Sequence, residues 1–205
     1  MKEIVFVNVN FGGNAGDFWS TPLKYYDFSM FNTRHVHYMD VWESIKGNKS
    51  YDFAKIKDKI VIIGGGGLLT TKGNFMQDTT EFLVKNNKVI FWGIGSNTFE
   101  TPTYDILNHP NVILAGIRDI VYGLNIDYLP CVSCKNSLFD KPYEITNEIG
   151  VIEHPRLPIQ IDGFPKITNQ SNIEDIISFI GTKEIILSST FHGVYWPQLD
   201  RKSRR

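Results

Sequence analysis

At 205 residues the chain is long enough for one full core, or for one domain and part of a second. Hydrophobic residues make up 42% and charged residues 21%, a globular balance, and a formal net charge of −1 gives no electrostatic drive toward nucleic acid or acidic lipid. No apolar run approaches the roughly 18 residues of a membrane span, and two cysteines do not suggest an oxidised secreted scaffold, so a cytoplasmic protein with no membrane span and no nucleic-acid partner is expected.

In chain order, Met1-Lys2-Glu3 leads into Ile4 to Val9, a stretch too short for a signal peptide and better read as a first buried strand. Three more runs follow: Ile60 to Ile63, Val89 to Trp92 and Val112 to Ala115. Each is rich in β-branched or aromatic residues with little internal polarity, as in a parallel strand covered on both faces. Glycines come after three of them: Gly12-Gly13, Gly64 to Gly67, and Gly93 with Gly95. Between the second and third runs, Asn74 to Asn86 predicts a helix with Phe75, Met76, Phe82 and Leu83 on one side. The alternation of strand, loop and helix predicts a mostly parallel, doubly wound sheet.

A polar break follows around Asn136 to Asn147. Ile149 to Ile152 is a further strand, and Asn172 caps a helix carrying Ile173, Ile176, Ile177 and Ile180 at helical spacing, ended by Gly181. Ile185 to Leu187 is the next strand, and His192 to Leu199 begins a helix interrupted by Pro197. The basic tail from Arg201 to Arg205 reads as a solvated end. The expected fold class is α/β: a Rossmann-like parallel-sheet domain over residues 1–140 and a second, incomplete Rossmann-like unit over 148–205. One or two such units cannot cover both faces of a sheet, so the second segment is expected either to pack onto the first domain or to mark a chain truncated relative to a longer ancestor.

Five motifs carry possible chemistry. Asn14-Ala15-Gly16-Asp17 follows the first strand and reads either as an anion-approaching loop or as a tight turn with Asp17 capping a helix. It fits neither a dinucleotide fingerprint nor a P-loop. Four consecutive glycines, Gly64, Gly65, Gly66 and Gly67, imply that something comes close, either a ligand or another stretch of backbone. Gly95-Ser96-Asn97 ends the third strand, on the rim where parallel sheets bind ligands. Arg118-Asp119 lies past the fourth, as a carboxylate or phosphate grip, a surface pair or a helix cap. Ser189-Thr190-Phe191-His192-Gly193 puts an imidazole among hydroxyls at a strand-to-helix junction. The single C-x-x-C of Cys131 and Cys134 is a weak metal signal, read as structural. His35 and His37 alternate along a possible strand and could chelate a metal, but no nearby carboxylates complete a site; no metal is expected.

Taken in order, Asn14 to Asp17, Gly64 to Leu69, Trp92 to Ser96, Arg118-Asp119 and Ser189 to Gly193 resemble the polysaccharide pyruvyl transferase family over nearly the whole chain. The resemblance implies a glycosyltransferase B-like fold with its active site in the interdomain cleft. It implies transfer of a pyruvyl group from phosphoenolpyruvate to a sugar of a surface polysaccharide or exopolysaccharide, with no cofactor beyond that donor. Some members carry an arginine two residues before the histidine; here it is Thr190. On this reading His192 donates a proton or binds phosphate, and Asp17 orients sugar hydroxyls. Arg118 and the loops with Asn14, Gly16, Gly64 to Gly67, Gly95, Ser96, Asn97, Ser189, Thr190 and Gly193 hold substrate. The alternatives are a nucleotide-sugar glycosyltransferase, or an inactive truncated remnant that binds sugar or a partner protein.

Overall fold

The computed structural model describes residues 3–9, 13–47, 56–70, 74–96, 104–121 and 125–199. The chain divides into two compact units: Met1–Asn10 with Asp17–Ser133, and Phe11–Gly16 with Cys134–Arg205. Each is described by itself.

In the first unit, strands β1 (Glu3–Asn8), β2 (Asn32–His37), β3 (Ile60–Gly64), β4 (Gly67–Leu69), β5 (Lys88–Ser96), β6 (Val112–Ile117) and β7 (Asp127–Tyr128) form one parallel sheet. The order is β2-β1-β3-β5-β6-β7, and β4 pairs with β5. The chain steps from β1 to β2 on one side and to β3 on the other, so the winding direction reverses at β1. Such a reversal opens a crevice at the carboxyl ends of the two central strands.

Strand pleat sorts the apolar runs onto two faces. Val5, Val7, Val61, Ile63, Val89 and Phe91 alternate with Ile4, Phe6, Ile62, Ile90 and Trp92, and the first set is fully buried. Helices α2 (Tyr38–Ile45) and α3 (Phe75–Asn86) contribute buried Tyr38, Val41, Leu83 and Val84. The Tyr38 hydroxyl ties the two helices by meeting the Met76 carbonyl and the Thr80 hydroxyl. On the second face Ile4, Phe6 and Ile62 are packed by Leu23, Phe28, Ile60, Ile90 and Trp92, with Phe28 edge-on to Phe6 at 4.8 Å. An irregular segment with a single 3-10 turn at Pro22–Lys24 does this work in place of a crossover helix.

Two sequence expectations differ from the structure here. α3 buries Gln77, Thr79, Thr80, Leu83 and Val84, whereas Phe75, Met76 and Phe82 are only partly buried. The threonines can face inward because each hydroxyl donates to the carbonyl four residues back, Thr79 to Phe75 at 2.8 Å and Thr80 to Met76 at 2.9 Å. The fourth apolar run is not covered on both faces: Ile113 is 50% and Leu114 63% exposed. β6 lies near the sheet's end, flanked there only by two-residue β7, and the described part of the β5–β6 connection is a 3-10 turn, Asp105–Asn108, rather than a packing helix.

In the second unit, β8 (Asn147–Glu153), β9 (Lys166–Thr168) and β10 (Lys183–Ser188) form a parallel sheet of order β10-β8-β9. Helix α4 (Ile173–Gly181) starts as its sequence dictates: the Asn172 side chain accepts the Asp175 N–H at 2.8 Å. Ile173, Ile176, Ile177 and Ile180 are all buried. Gly181 is the last helical residue rather than a left-handed cap, and it is there for space, since a Cβ would lie 2.2 Å from the Tyr143 ring. Helix α5 (Phe191–Leu199) runs through Pro197 instead of breaking. Proline removes one bond to the carbonyl four residues back, that of Gly193, and the helix ends two residues later. A single helical turn, α1 (Ala15–Phe18), follows β1. Among the described residues no helix is long and apolar enough to cross a membrane.

Candidate functional site

The carboxyl edge of the first sheet gathers most of the glycine-marked loops. β3 ends at Gly64, and the chain turns through Gly65 at φ +62° and Gly66 at φ +77° before β4. These angles lie in the left-handed region that disfavours other residues. The turn is held by the Gly65 N–H donating to the Trp92 carbonyl at 3.0 Å and the Gly95 N–H donating to the Gly66 carbonyl at 3.0 Å. The room left by missing side chains is taken by the chain itself. A Cβ on Gly64 would meet Pro22 Cδ at 2.6 Å, and one on Gly65 would meet the Ser20 Cβ at 2.0 Å. Neither Ser20 nor Pro22 announces itself in the sequence, because their partners lie more than forty residues on. Gly66 is less crowded: a Cβ there would meet Asp17 Oδ1 and Leu68 Cγ, both at 3.7 Å. Asp17 sits inside α1 and does not cap it. Its carbonyl accepts the Ser20 hydroxyl at 2.8 Å, and its carboxylate lies beside the crevice between β1 and β3. Gly67 begins β4 and pairs with Gly95.

Farther along the same edge, Gly95 lets a charged side chain cross the strand end. A Cβ there would lie 2.5 Å from Arg118 Nε and 2.8 Å from Asp119 Oδ1. Arg118 is only 7% exposed, and its N–H donates to the Ile94 carbonyl at 2.8 Å. The Asp119 carboxylate accepts the Ser96 N–H, so it already occupies a backbone donor at the end of β5. Tyr104 faces the same carboxylate: burial first, and the Asp119 charge second, push its hydroxyl pKa up. Asn97, expected to join this group, lies outside the described residues.

The second unit holds a separate cluster at the carboxyl ends of its own strands. The Ala15 N–H donates to the Asn169 carbonyl, just past β9, at 2.8 Å. The Asn14 side chain accepts the Gly16 N–H at 3.0 Å, doing the capping that the sequence offered to Asp17. Gly16 then presses on the first turn of α5: a Cβ would lie 2.0 Å from His192 Nδ1. His192 is 6% exposed, with the rings of Phe191 and Trp196 each 5.0 Å away, centroid to centroid.

The hydroxyls around this histidine hold the backbone. Thr190 Oγ1 accepts the Gly193 N–H at 3.0 Å and so caps α5. Ser188 Oγ donates to the Ile152 carbonyl at 2.8 Å. Ser189 Oγ donates to the Leu157 carbonyl at 2.8 Å and accepts the His154 N–H at 3.1 Å. Gly193 is required for close packing, since its Cβ would meet Ser188 Oγ at 2.0 Å. Asn169 is the residue of this cluster that sequence reasoning missed; an asparagine after a short strand has no distinguishing pattern.

A hollow of about 260 Å³ lies at the opposite, amino-terminal edge of the first sheet, lined by Lys59, Lys85, Lys88 and Asn111 among others. Its lysines are engaged, Lys59 with Glu3 at 3.2 Å, Lys85 with Glu81 at 3.5 Å and Lys88 with Asn111 at 2.9 Å. No group of three or more histidine, cysteine or acidic side chains suited to a metal occurs among the described residues. Comparison with protein-family models, with curated proteins and with solved structures finds no match to this chain.

Proposed function

We propose that this chain is a protein of the polysaccharide pyruvyl transferase type, taking phosphoenolpyruvate as donor and a sugar hydroxyl as acceptor. The proposal includes a glycosyltransferase B-like fold class and a cytoplasmic setting. One observation carries it: a buried arginine laid across Gly95 at the carboxyl edge of a doubly wound sheet, where such folds take anionic ligands. A guanidinium offers a carboxylate or phosphate two parallel donors. The donor presents both kinds of group.

On this reading Arg118 engages one anionic end of phosphoenolpyruvate, and the backbone at Gly66, the uncrowded part of the Gly64–Gly67 turn, serves the other. Protonation of the donor's methylene carbon, with His192 as the acid, leaves an oxocarbenium-like centre. A sugar oxygen adds to that centre and loses its proton to Asp17. Phosphate then departs with the electron pair of its C–O bond, and a second hydroxyl of the same sugar closes the ketal and gives its proton to His192. The protein supplies position and charge, and no redox change occurs.

A thermal-shift titration with phosphoenolpyruvate is the first test. At a hundredfold excess over Kd, binding should stabilise the fold by about 2.7 kcal/mol. Arg118→Met should abolish the shift, while His192→Gln should keep it and lose phosphate release in the presence of acceptor glycans. Absence of any shift, or release of a nucleoside diphosphate from a sugar nucleotide instead, would sink the reading.

A further inference from the structure

His35 and His37 stand two residues apart on β2, the edge strand of the first sheet, so the pleat sends both side chains to one face. Their ring centroids are 5.5 Å apart, with the ring planes at 47°. Beside them lies buried Asn8, whose amide orientation is fixed: Nδ2 donates to the Val9 carbonyl at 3.3 Å and to the Asp17 carbonyl at 3.5 Å. Oδ1 therefore faces His35 Nε2, with which it is in hydrogen-bond contact. An amide oxygen only accepts, so Nε2 carries the proton and the lone pair of His35 sits on Nδ1. Metal-binding imidazoles are oriented in this way, with one nitrogen donating to a carbonyl oxygen while the other faces the ion. His37 precedes α2 without a side-chain capping bond. Among the described residues no hydrogen bond reaches its ring nitrogens or His35 Nδ1.

The spacing suits chelation. With metal–nitrogen bonds of about 2.0–2.1 Å, a metal lies roughly 3.2 Å from each ring centroid, so a tetrahedral angle places two centroids about 5.2 Å apart. The observed 5.5 Å is close to that separation. Lys24 is the opposing charge, and its ammonium rests over the Phe18 ring at 3.6 Å and the Trp19 ring at 4.5 Å.

We propose that His35 and His37 form a two-histidine site for a borderline divalent cation of the zinc, nickel and copper group, with water completing the coordination and Asn8 orienting His35. Imidazole nitrogen selects this group over magnesium and calcium. The site is independent of the transferase reading.

The test is calorimetric titration of the full chain with Ni²⁺ and with Zn²⁺ at neutral pH. A saturable one-to-one isotherm is expected, weakened about tenfold or more by His35→Gln and by His37→Gln separately, and unchanged by His154→Gln. Copper paramagnetic resonance of the unsubstituted chain covers the case in which a variant misfolds: two imidazole nitrogens should couple to the ion. Absence of saturable binding, binding that survives both substitutions, binding lost on Cys134→Ser, or coupling to fewer than two nitrogens overturns the proposal.

Discussion

Glycine has two separate causes in this chain, and telling them apart decides what a substitution does. At Gly65 and Gly66 the backbone itself is left-handed. Gly16 lies in a helical turn with ordinary backbone angles and is required only because His192 is there. Alanine at an unobstructed helical position would gain roughly 0.5–1 kcal/mol. Here the new methyl would overlap the imidazole at 2.0 Å, and that ring is itself hemmed in by Phe191 and Trp196. Overpacking of this kind costs about 1–3 kcal/mol, so Gly16→Ala should be net destabilising in urea unfolding. In a His192→Ala background the same change should cost little, and the double-mutant coupling is the measurement that separates a steric cause from a backbone one.

Among the elements, helix α4 is the one most completely written in its own sequence. An asparagine cap, two acids in the first turn and four isoleucines at helical spacing all agree, and the folded helix uses each of them. Replacing Asn172 by Ala removes the acceptor of the Asp175 N–H and should destabilise the second unit by about 1 kcal/mol, read as a shift in the urea midpoint with unchanged slope. Helix α3 shows the opposite case. Its span follows from sequence, but its inward face does not, because two threonines hide their hydroxyls against the helix's own carbonyls and bury their methyl groups. Hydrophobicity alone reads those positions as polar.

For the molecule as a whole, stability should be widest in the neutral range, for two identifiable reasons. Tyr38 is fully buried, and burial pushes its hydroxyl pKa up. An unfolded tyrosine ionises near pH 10, so this contribution is complete below about pH 10 and is lost as pH rises above it. His35 still reaches solvent, but partial desolvation of its ring, with the nearby His37 and Lys24, shifts it the other way. An unfolded histidine takes up a proton near pH 6.5 while the folded ring resists it, so this contribution is complete above about pH 6.5 and is lost as pH falls. Thermal melts across pH should show both limbs, and His35→Gln should flatten the acid one; an acid limb of unaltered steepness in that variant assigns it to other groups.

Six apolar strands, the approximate limits of α3, α4 and α5 and the rim that carries the glycine loops are legible in the sequence alone, because they follow from short-range demands, whereas short β4, β7 and β9 and helix α2 are not. A parallel strand buried between neighbours must be apolar for four or more residues, a helix start needs an acceptor for its free N–H groups, and a left-handed turn needs glycine. Only the tertiary structure decided what those loops touch. Asn14 to Gly16 follows β1 closely in the chain, yet the segment belongs to the second unit, bonded to Asn169 and pressed against His192. Ser20 and Pro22 fill the space beside Gly64 and Gly65. The serines and threonine beside His192 are committed to backbone groups. Apart from the Thr190 cap on Gly193, these facts depend on residues tens to more than a hundred positions apart meeting by packing, and such meetings leave no period or spacing in the chain to be read.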